Sequence, residues 1–247
     1  MKESKLKMSK DFCIDPTYKN IYLLGGLSCI IFMLYSLATI LIMTILGGPP
    51  QTISECFNML SENKLFGLLR LDILTVFVMP LYYILFYSLY TALKKVNKEI
   101  IIISTLLLFV GLTLFLAAPS VFSYLDLRDR FAAATTETQK SQLLSAGEAI
   151  IASDIWHGTG ARIGGMLMQI GAFIISITML KSNVFSKVTA IVGIFTHGLD
   201  LLHIILGFFN FVFGIVLMSI AGILYLLWFP LVGIRLFDLC KYCRKEI

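Results

Sequence analysis

The run VTAIVGIFTHGLDLLHIILGFFNFVFGIVLMSIAGILYLLWFPLVG, residues 188–233, is apolar almost without interruption. About 20 apolar residues span the hydrocarbon core of a bilayer, so this run is long enough for two membrane-spanning helices. Its polar residues His197, Asp200 and His203 would then lie at membrane depth. An ionisable group in hydrocarbon costs at least about 2.5 kcal/mol and by default indicates a functional site.

The whole chain has the composition of a membrane protein. Of its 247 residues, 58% are apolar and 14% are charged, whereas charged residues reach about 25% in soluble domains. We therefore expect one membrane domain in the lipid bilayer of the cell, with no separate folded core outside its spans. The net charge of +5 is attributed to membrane topology, and nucleic-acid binding is not expected.

Breaker residues and charges divide the chain into six predicted membrane-spanning helices. The fold class is an all-α polytopic bundle over residues 21–234, between polar tails at 1–20 and 235–247. A kink is expected at Pro80 in the second span. An external segment at about 119–160 is the only long connection. The six predicted spans are residues 21–46, 66–93, 100–118, 161–180, 188–206 and 211–233.

Three local patterns refine this picture outside the long apolar runs. Residues 51–65 predict a short amphipathic helix. Gly160 and Gly164 have the small-xxx-small spacing that lets two helix backbones approach closely. Thr136 and Gln139 have the spacing of a capping box. The surface helix expected to follow them carries on one face Leu143, Gly147, Ile150, Asp154 and His157.

The distribution of positive charge predicts the orientation of the chain. Six spans place both termini on the same side of the membrane. That side collects 14 of the 20 lysine and arginine residues and leaves six for the other side. Cytoplasmic loops carry the excess of lysine and arginine, so both termini are predicted to be cytoplasmic.

Several motifs from the second span onward resemble one protein family. They are Leu65-Phe66, Arg70-Leu71-Asp72, and the stretches Leu89 to Lys98, Met179 to Gly193 and Leu226 to Arg235. Together they resemble an uncharacterised group of six-helix bacterial membrane proteins, catalogued only as a domain of unknown function. The resemblance implies the fold and the membrane location and implies no activity. The histidine-rich stretch at residues 196–203 is not part of it.

The ionisable residues of the spans predict a polar site in the outer half of the bundle. The fifth span rises from the cytoplasmic side, so His197 would lie near the midplane, with Asp200 and His203 further out. The other candidates enter the second and fourth spans from the outside. The predicted ligand or proton site comprises Arg70, Asp72, Asp154, His157, Arg162, His197, Asp200 and His203.

This constellation is compatible with more than one function. Alternating histidine and aspartate can relay protons, and Arg70 or Arg162 could hold an anionic group of a transported solute. Alternatively, His197, Asp200 and His203, with His157 as a fourth ligand, could bind zinc in a membrane-embedded hydrolase. The spacing HxxDxxH matches no established metal motif, so we expect no cofactor and no enzyme, with zinc as the alternative.

A purely structural role is the third interpretation. Asp72 or Asp200 would pair with Arg70 or Arg162 and fix the helix register. The protein could then act as a homo-oligomer or as an accessory subunit of a membrane complex. Other polar and aromatic residues are assigned no function: Cys240 and Cys243 are expected to be reduced thiols near the membrane interface, and Trp228 and Tyr225 to be interface anchors and packing residues.

Overall fold

The computed structural model describes residues 15–118, 120–155, 157–207, 209 and 211–245, and all regular secondary structure in this part of the chain is helical. The predicted all-α class is confirmed. Residues 1–14 of the predicted N-terminal tail, Pro119, Trp156, Phe208, Asn210 and residues 246–247 lie outside the described part. After a short 3-10 helix at Pro16–Tyr18, the α-helices are α1 Lys19–Ile45, α2 Ile53–Glu62, α3 Lys64–Arg70, α4 Ile73–Val78, α5 Leu81–Leu93, α6 Lys98–Leu116, α7 Val121–Ala133, α8 Glu137–Ile151, α9 Thr159–Leu180, α10 Lys187–Gly207 and α11 Phe211–Lys245.

Five helical stretches of the described chain are long and apolar enough to cross a membrane. They are Pro16–Ile45, Lys98–Ala133 (which contains α6 and α7), Thr159–Leu180, Lys187–Gly207 and Val212–Cys243. These stretches agree with the first and the third to sixth predicted spans. The second predicted span, residues 66–93, is not one helix, because it is divided among α3, α4 and α5. Its longest apolar piece, α5, has only 13 residues.

Two local features break the second predicted span. Asp72 adopts the left-handed backbone conformation, with φ 56° and ψ 44°, which costs an L-residue roughly 1–2 kcal/mol. The hydroxyl groups of Tyr35 and Thr75 both donate hydrogen bonds to Asp72 Oδ2, and these bonds stabilise the break. Pro80 separates α4 from α5, because proline lacks the N–H group that a continuous helix would need. The kink expected at Pro80 is therefore a complete helix break.

The chain forms two compact units. Unit 1 comprises Met1–Leu34, Leu81–Val110 and Met166–Ile247, and unit 2 comprises Tyr35–Pro80 and Gly111–Gly165. Helices α1, α6 and α9 contribute residues to both units, whereas α10 and α11 belong to unit 1 alone.

Unit 2 has an apolar core built largely from segments that were predicted to lie outside the spans. Its buried members are Ile53, Cys56, Phe57, Met59, Leu60, Leu71, Val121, Tyr124, Leu127 and Ile151. Two short segments combine their apolar faces with Leu71 of the second predicted span to form this core. Glu148 Oε1 joins these segments by accepting a hydrogen bond of 2.9 Å from the Ile53 backbone N–H. Burial raises the pKa of the Cys56 thiol to about 12, so this core side chain is neutral at ordinary pH.

The connection at about 119–160 contains two helices, α7 and α8, where one was expected. The predicted capping box is confirmed: Thr136 Oγ1 accepts from the Gln139 N–H at 3.2 Å, and Gln139 Oε1 accepts from the Thr136 N–H at 3.4 Å. The helix that begins there ends at Ile151. Asp154 and His157 therefore lie beyond it and do not continue its predicted face. The helix expected within residues 51–65 is confirmed as α2.

Helix α11 extends past the predicted end of the sixth span. It has 35 residues, which corresponds to a length of about 52 Å at 1.5 Å per residue. Residues 235–245 of the predicted tail are thus helical. Arg235 Nε donates to the backbone carbonyl of Val184 within unit 1. The side chains of Cys240 and Cys243 are buried within unit 1 and form no disulfide with another described residue.

Gly164 allows α9 to approach α6 closely within unit 2. A Cβ atom at this position would lie 2.6 Å from the Gly111 carbonyl oxygen and 2.7 Å from the Phe115 backbone nitrogen. Backbone atoms cannot move aside as a flexible side chain can. A Cβ atom at Gly160, one turn earlier, would have its nearest neighbour, the Leu114 carbonyl oxygen, at 3.9 Å. The predicted close approach is therefore confirmed, and it depends on Gly164.

Substitution of Gly164 by alanine is expected to lower the free energy of unfolding by about 1–3 kcal/mol, because the added methyl group overpacks a backbone contact. Gly160→Ala is the matched control and is expected to change stability by less than about 0.5 kcal/mol. The measurement is unfolding of the purified protein in detergent, followed by circular dichroism. Equal losses in the two variants would contradict the assigned contact.

Candidate functional site

A polar cluster lies inside unit 1, and His197 of α10 is its most deeply buried member. The His197 side chain is 0% exposed. Its Nδ1 atom lies 2.9 Å from Oε1 of Gln169 on α9. One turn earlier on α10, Gly193 has no side chain and lies close to α9 and α11: a Cβ atom there would lie 2.6 Å from Ser176 Oγ and 2.5 Å from Trp228 Nε1.

Asp200 lies one turn after His197 and is held by two neutral donors. Gln169 Nε2 donates to Asp200 Oδ2 at 2.6 Å, and the Tyr225 hydroxyl of α11 donates to the same oxygen at 2.9 Å. The Tyr225 oxygen also lies 3.2 Å from Gln169 Oε1 and 3.3 Å from His197 Nδ1. Three helices thus each contribute polar side chains to one hydrogen-bonded group.

His203 forms the more accessible end of the cluster. Its Nδ1 atom lies 3.3 Å from Asp200 Oδ1, and the two side chains are 28% and 17% exposed. The two atoms are close enough for an ion pair, but His203 Nδ1 makes no hydrogen bond to Asp200 Oδ1. An ionic attraction therefore exists only when His203 is protonated.

Aromatic rings surround the buried end of the cluster. The ring of Trp228 meets the His197 ring edge to face, with centroids 4.6 Å apart and planes at 87°. The rings of Tyr225 and Phe86 lie at 5.5 Å and 6.3 Å from the same imidazole. These apolar walls exclude water and strengthen each hydrogen bond inside them.

Arg70 and Asp72, which were predicted to share the site, lie in unit 2 and have local partners. Arg70 Nη2 forms an ion pair of 2.9 Å with Glu55 Oε1, and Arg70 Nε donates to the Gly48 carbonyl oxygen at 2.9 Å. Asp72 is bound by the hydroxyl groups of Tyr35 and Thr75. Of the alternative pairings expected, the one between Arg70 and Asp72 is therefore not formed, because each side chain is bound by nearer groups.

Asp154 and His157 form a second local group in unit 2. His157 Nδ1 lies 3.1 Å from Asp154 Oδ1, and the Tyr124 hydroxyl donates to Asp154 Oδ2 at 3.2 Å. The backbone N–H of His157 also donates to Asp154 Oδ1. Arg162 lies in the first turn of α9, within the same unit. The eight predicted site residues thus divide into three in unit 1 and five in unit 2.

Among the described residues, no group of three or more histidine, cysteine, aspartate or glutamate side chains is arranged to hold a metal ion. The Nδ1 atom of His197 faces Gln169, and the near oxygen of Asp200 accepts from Gln169 and Tyr225. These hydrogen bonds occupy donor atoms that a metal would require.

Sequence reasoning missed Gln169, Tyr225 and Trp228 as members of this site. Tyr225 and Trp228 were predicted to be interface anchors and packing residues. Trp228 is a packed, completely buried residue, whereas the Tyr225 hydroxyl bonds to Asp200. Gln169 offered the clearer signal, because it is an amide in the middle of an apolar span and must find polar partners there.

No protein-family model matches the chain, and neither does any of the curated proteins or solved structures with which it was compared. The resemblance to six-helix bacterial membrane proteins therefore stays a prediction.

Replacement of Tyr225 by phenylalanine removes one of the two donors to Asp200 Oδ2 and is expected to cost about 1–3 kcal/mol of stability. Tyr87→Phe is the matched control, since Tyr87 is exposed and its ring stacking on Tyr90 does not need the hydroxyl group. Unfolding in detergent compares the two variants. A loss at Tyr225 no larger than at Tyr87 would contradict the hydrogen-bond assignment.

Proposed function

We propose that the chain is a multi-pass protein of the cell membrane that takes up and releases a proton at the cluster of Gln169, His197, Asp200, His203 and Tyr225. One observation carries this proposal: Asp200 and the completely buried His197 are joined by hydrogen bonds through Gln169 and Tyr225, and the half-buried His203 lies 3.3 Å from Asp200. Buried ionisable groups of membrane helices characteristically serve proton or ion pathways.

The chemistry of the cluster suits proton exchange. Asp200 accepts hydrogen bonds from neutral groups, so it can gain a proton without separating a permanent ion pair. His203 is close enough to exchange a proton with Asp200 after a small rotation. The Tyr225 hydroxyl contacts both Asp200 and His197 and connects the two ends. Proton-coupled transport of a small solute is the activity that such a cluster best serves.

The proposed topology has six crossings, with both termini cytoplasmic. Five crossings are the long apolar stretches named above. The remaining one is the second predicted span, the broken stretch α3–α5, which runs from unit 2 into unit 1 between Pro80 and Leu81. Interrupted helices are tolerated in membranes where protein surrounds the break, and Asp72 is buried at the first break. In support, every described lysine and arginine assigned to the cytoplasm belongs to unit 1, and the six assigned to the outside belong to unit 2.

A pair of cysteine variants tests the crossing of residues 64–93. In a cysteine-free background, Glu62→Cys is expected to react with a membrane-impermeant maleimide on intact cells. Lys95→Cys is expected to react only after the membrane is permeabilised. Both positions are exposed in the structure, so burial does not limit either reaction. Labelling of both variants from the same side would reject this crossing and the six-span topology with it.

Infrared titration of the protein in lipid tests the proton site itself. The carboxyl C=O band of a protonated aspartate is expected to appear as the pH is lowered, and Asp200→Asn should remove it. Asp72→Asn shows how much of this infrared band comes from the buried carboxyl group in unit 2. Asp126→Asn is the control, because that side chain is 68% exposed and lies outside the cluster. A titration that Asp200→Asn leaves unchanged would reject the proton site.

A further inference from the structure

A small, partly enclosed cleft lies in unit 2, where separate connections of the chain meet. Its lining comes from the loop after α1, the break after α3, the start of α7 and the segment after α8. The free space is enough for about one group of the size of a water molecule. A cleft of this size accommodates the end group of a ligand and not a whole solute.

The polar side chains of this cleft offer hydrogen-bond acceptors. Among the described lining residues, these side chains are Ser120, Tyr124 and Asp154. The Tyr124 hydroxyl donates its hydrogen to Asp154 Oδ2 at 3.2 Å, and the Ser120 hydroxyl donates to the Ala118 carbonyl oxygen at 3.3 Å. A carboxylate has no hydrogen to donate. A ligand in the cleft therefore meets acceptor oxygens on all three side chains.

The apolar part of the lining supplies little to oppose a donor ligand. Pro49 and Pro50 have no backbone N–H group. The N–H group of Leu71 already donates to carbonyl oxygens of α3. Arg70, the residue before it, forms an ion pair with Glu55, so the positive charge of its guanidinium is balanced locally.

The charge of the cleft favours a cation. The Asp154 side chain keeps 11% of its surface exposed. His157 Nδ1 faces two acceptors, Asp154 Oδ1 at 3.1 Å and the Ile151 carbonyl oxygen at 3.2 Å, so this nitrogen carries a hydrogen. A neutral His157 in this tautomer leaves the charge of the carboxylate in place. The N-terminus of α7 opposes it with only about half an elementary charge.

We propose that this cleft binds a primary ammonium group, which donates to Asp154 Oδ2, Tyr124 Oη and Ser120 Oγ. An ammonium group has three N–H donors and no acceptor, so it matches the polar side chains in number and in kind. A carboxylate or phosphate group would meet acceptors and a negative charge. The site is independent of the proposed proton cluster, because it is formed by unit 2 and the cluster by unit 1.

Two sources carry a primary ammonium group to the surface of a membrane: a free amine solute and a phospholipid with an ethanolamine headgroup. The connections that form the cleft lie outside in the proposed topology, so either source would reach it from that side. This sidedness rests on the proposed topology, whereas the binding chemistry rests on unit 2 alone.

Thermal unfolding of the detergent-purified protein at about pH 8, above the range in which free histidine titrates, tests the chemistry. Ethanolamine is expected to raise the unfolding temperature with increasing concentration, since it binds only the folded state. Choline is the matched control, because its trimethylated nitrogen has no N–H group and is too large for the cleft. Native mass spectrometry with equal phosphatidylethanolamine and phosphatidylcholine tests the lipid source. Stabilisation by ethanolamine or preferential retention of phosphatidylethanolamine supports the site and identifies its source. The absence of both would overturn the proposal.

Asp154→Asn is expected to weaken whichever binding is found by about tenfold or more, because a charged hydrogen-bond partner is lost. Asp126→Asn is the matched control, since Asp126 lies on α7 outside the cleft and its side chain is 68% exposed. If Asp154→Asn does not fold, Ser120→Ala decides, because it removes one acceptor and should weaken binding in the same direction. Binding as strong in these variants as in Asp126→Asn would overturn the site. Ethanolamine binding by a protein that fails the cysteine-labelling test would reject the proposed topology alone.

Discussion

Polar groups surrounded by apolar helices must find their partners inside the protein, and this constraint organises unit 1. Asp200 is held by Gln169 and Tyr225, and the other end of the same amide faces His197. Both hydrogen bonds to the carboxylate end on Asp200 Oδ2, and both donors come from neighbouring helices of unit 1. Because the cost of leaving such groups unpaired is large in a medium of low dielectric constant, the three helices α9, α10 and α11 are fixed in register by these contacts.

The two carboxylates inside the predicted spans, Asp72 and Asp200, are stabilised by the same means in different units. Asp72 in unit 2 accepts hydrogen bonds from Tyr35 and Thr75, and Asp200 in unit 1 accepts from Tyr225 and Gln169. Neutral donors allow a carboxyl group to change its protonation state while its neighbours stay in place. An arginine partner would instead hold the carboxylate charged. The arginine nearest in sequence to Asp72, Arg70, is occupied by Glu55 and Gly48.

The sequence predicted features that depend on a few neighbouring residues. The long apolar helices, the break after Ile45 and the capping box at Thr136 follow from hydropathy, proline and glycine, and local hydrogen bonding. Features that depend on distant residues were missed. The left-handed Asp72 relies on Tyr35, which is 37 positions away, and the core of unit 2 joins residues near 55 with residues near 125. His197 and Asp200 were identified as polar residues in an apolar helix, but their partners lie on other helices and have no fixed spacing from them.

The Gln169 amide determines which atoms of the cluster donate hydrogen bonds and which accept them. A glutamine amide has a donor end and an acceptor end, and in unit 1 the donor end is bound to the acceptor-only carboxylate of Asp200. Its acceptor end must then receive the hydrogen of His197 Nδ1, which leaves the basic lone pair at Nε2, on the side away from Asp200. A carboxylate and an imidazole bonded directly would share one proton between them. In unit 1 the Gln169 amide and the Tyr225 hydroxyl both lie between them, so that Asp200 is near the half-buried His203 and the His197 ring packs against the buried Trp228.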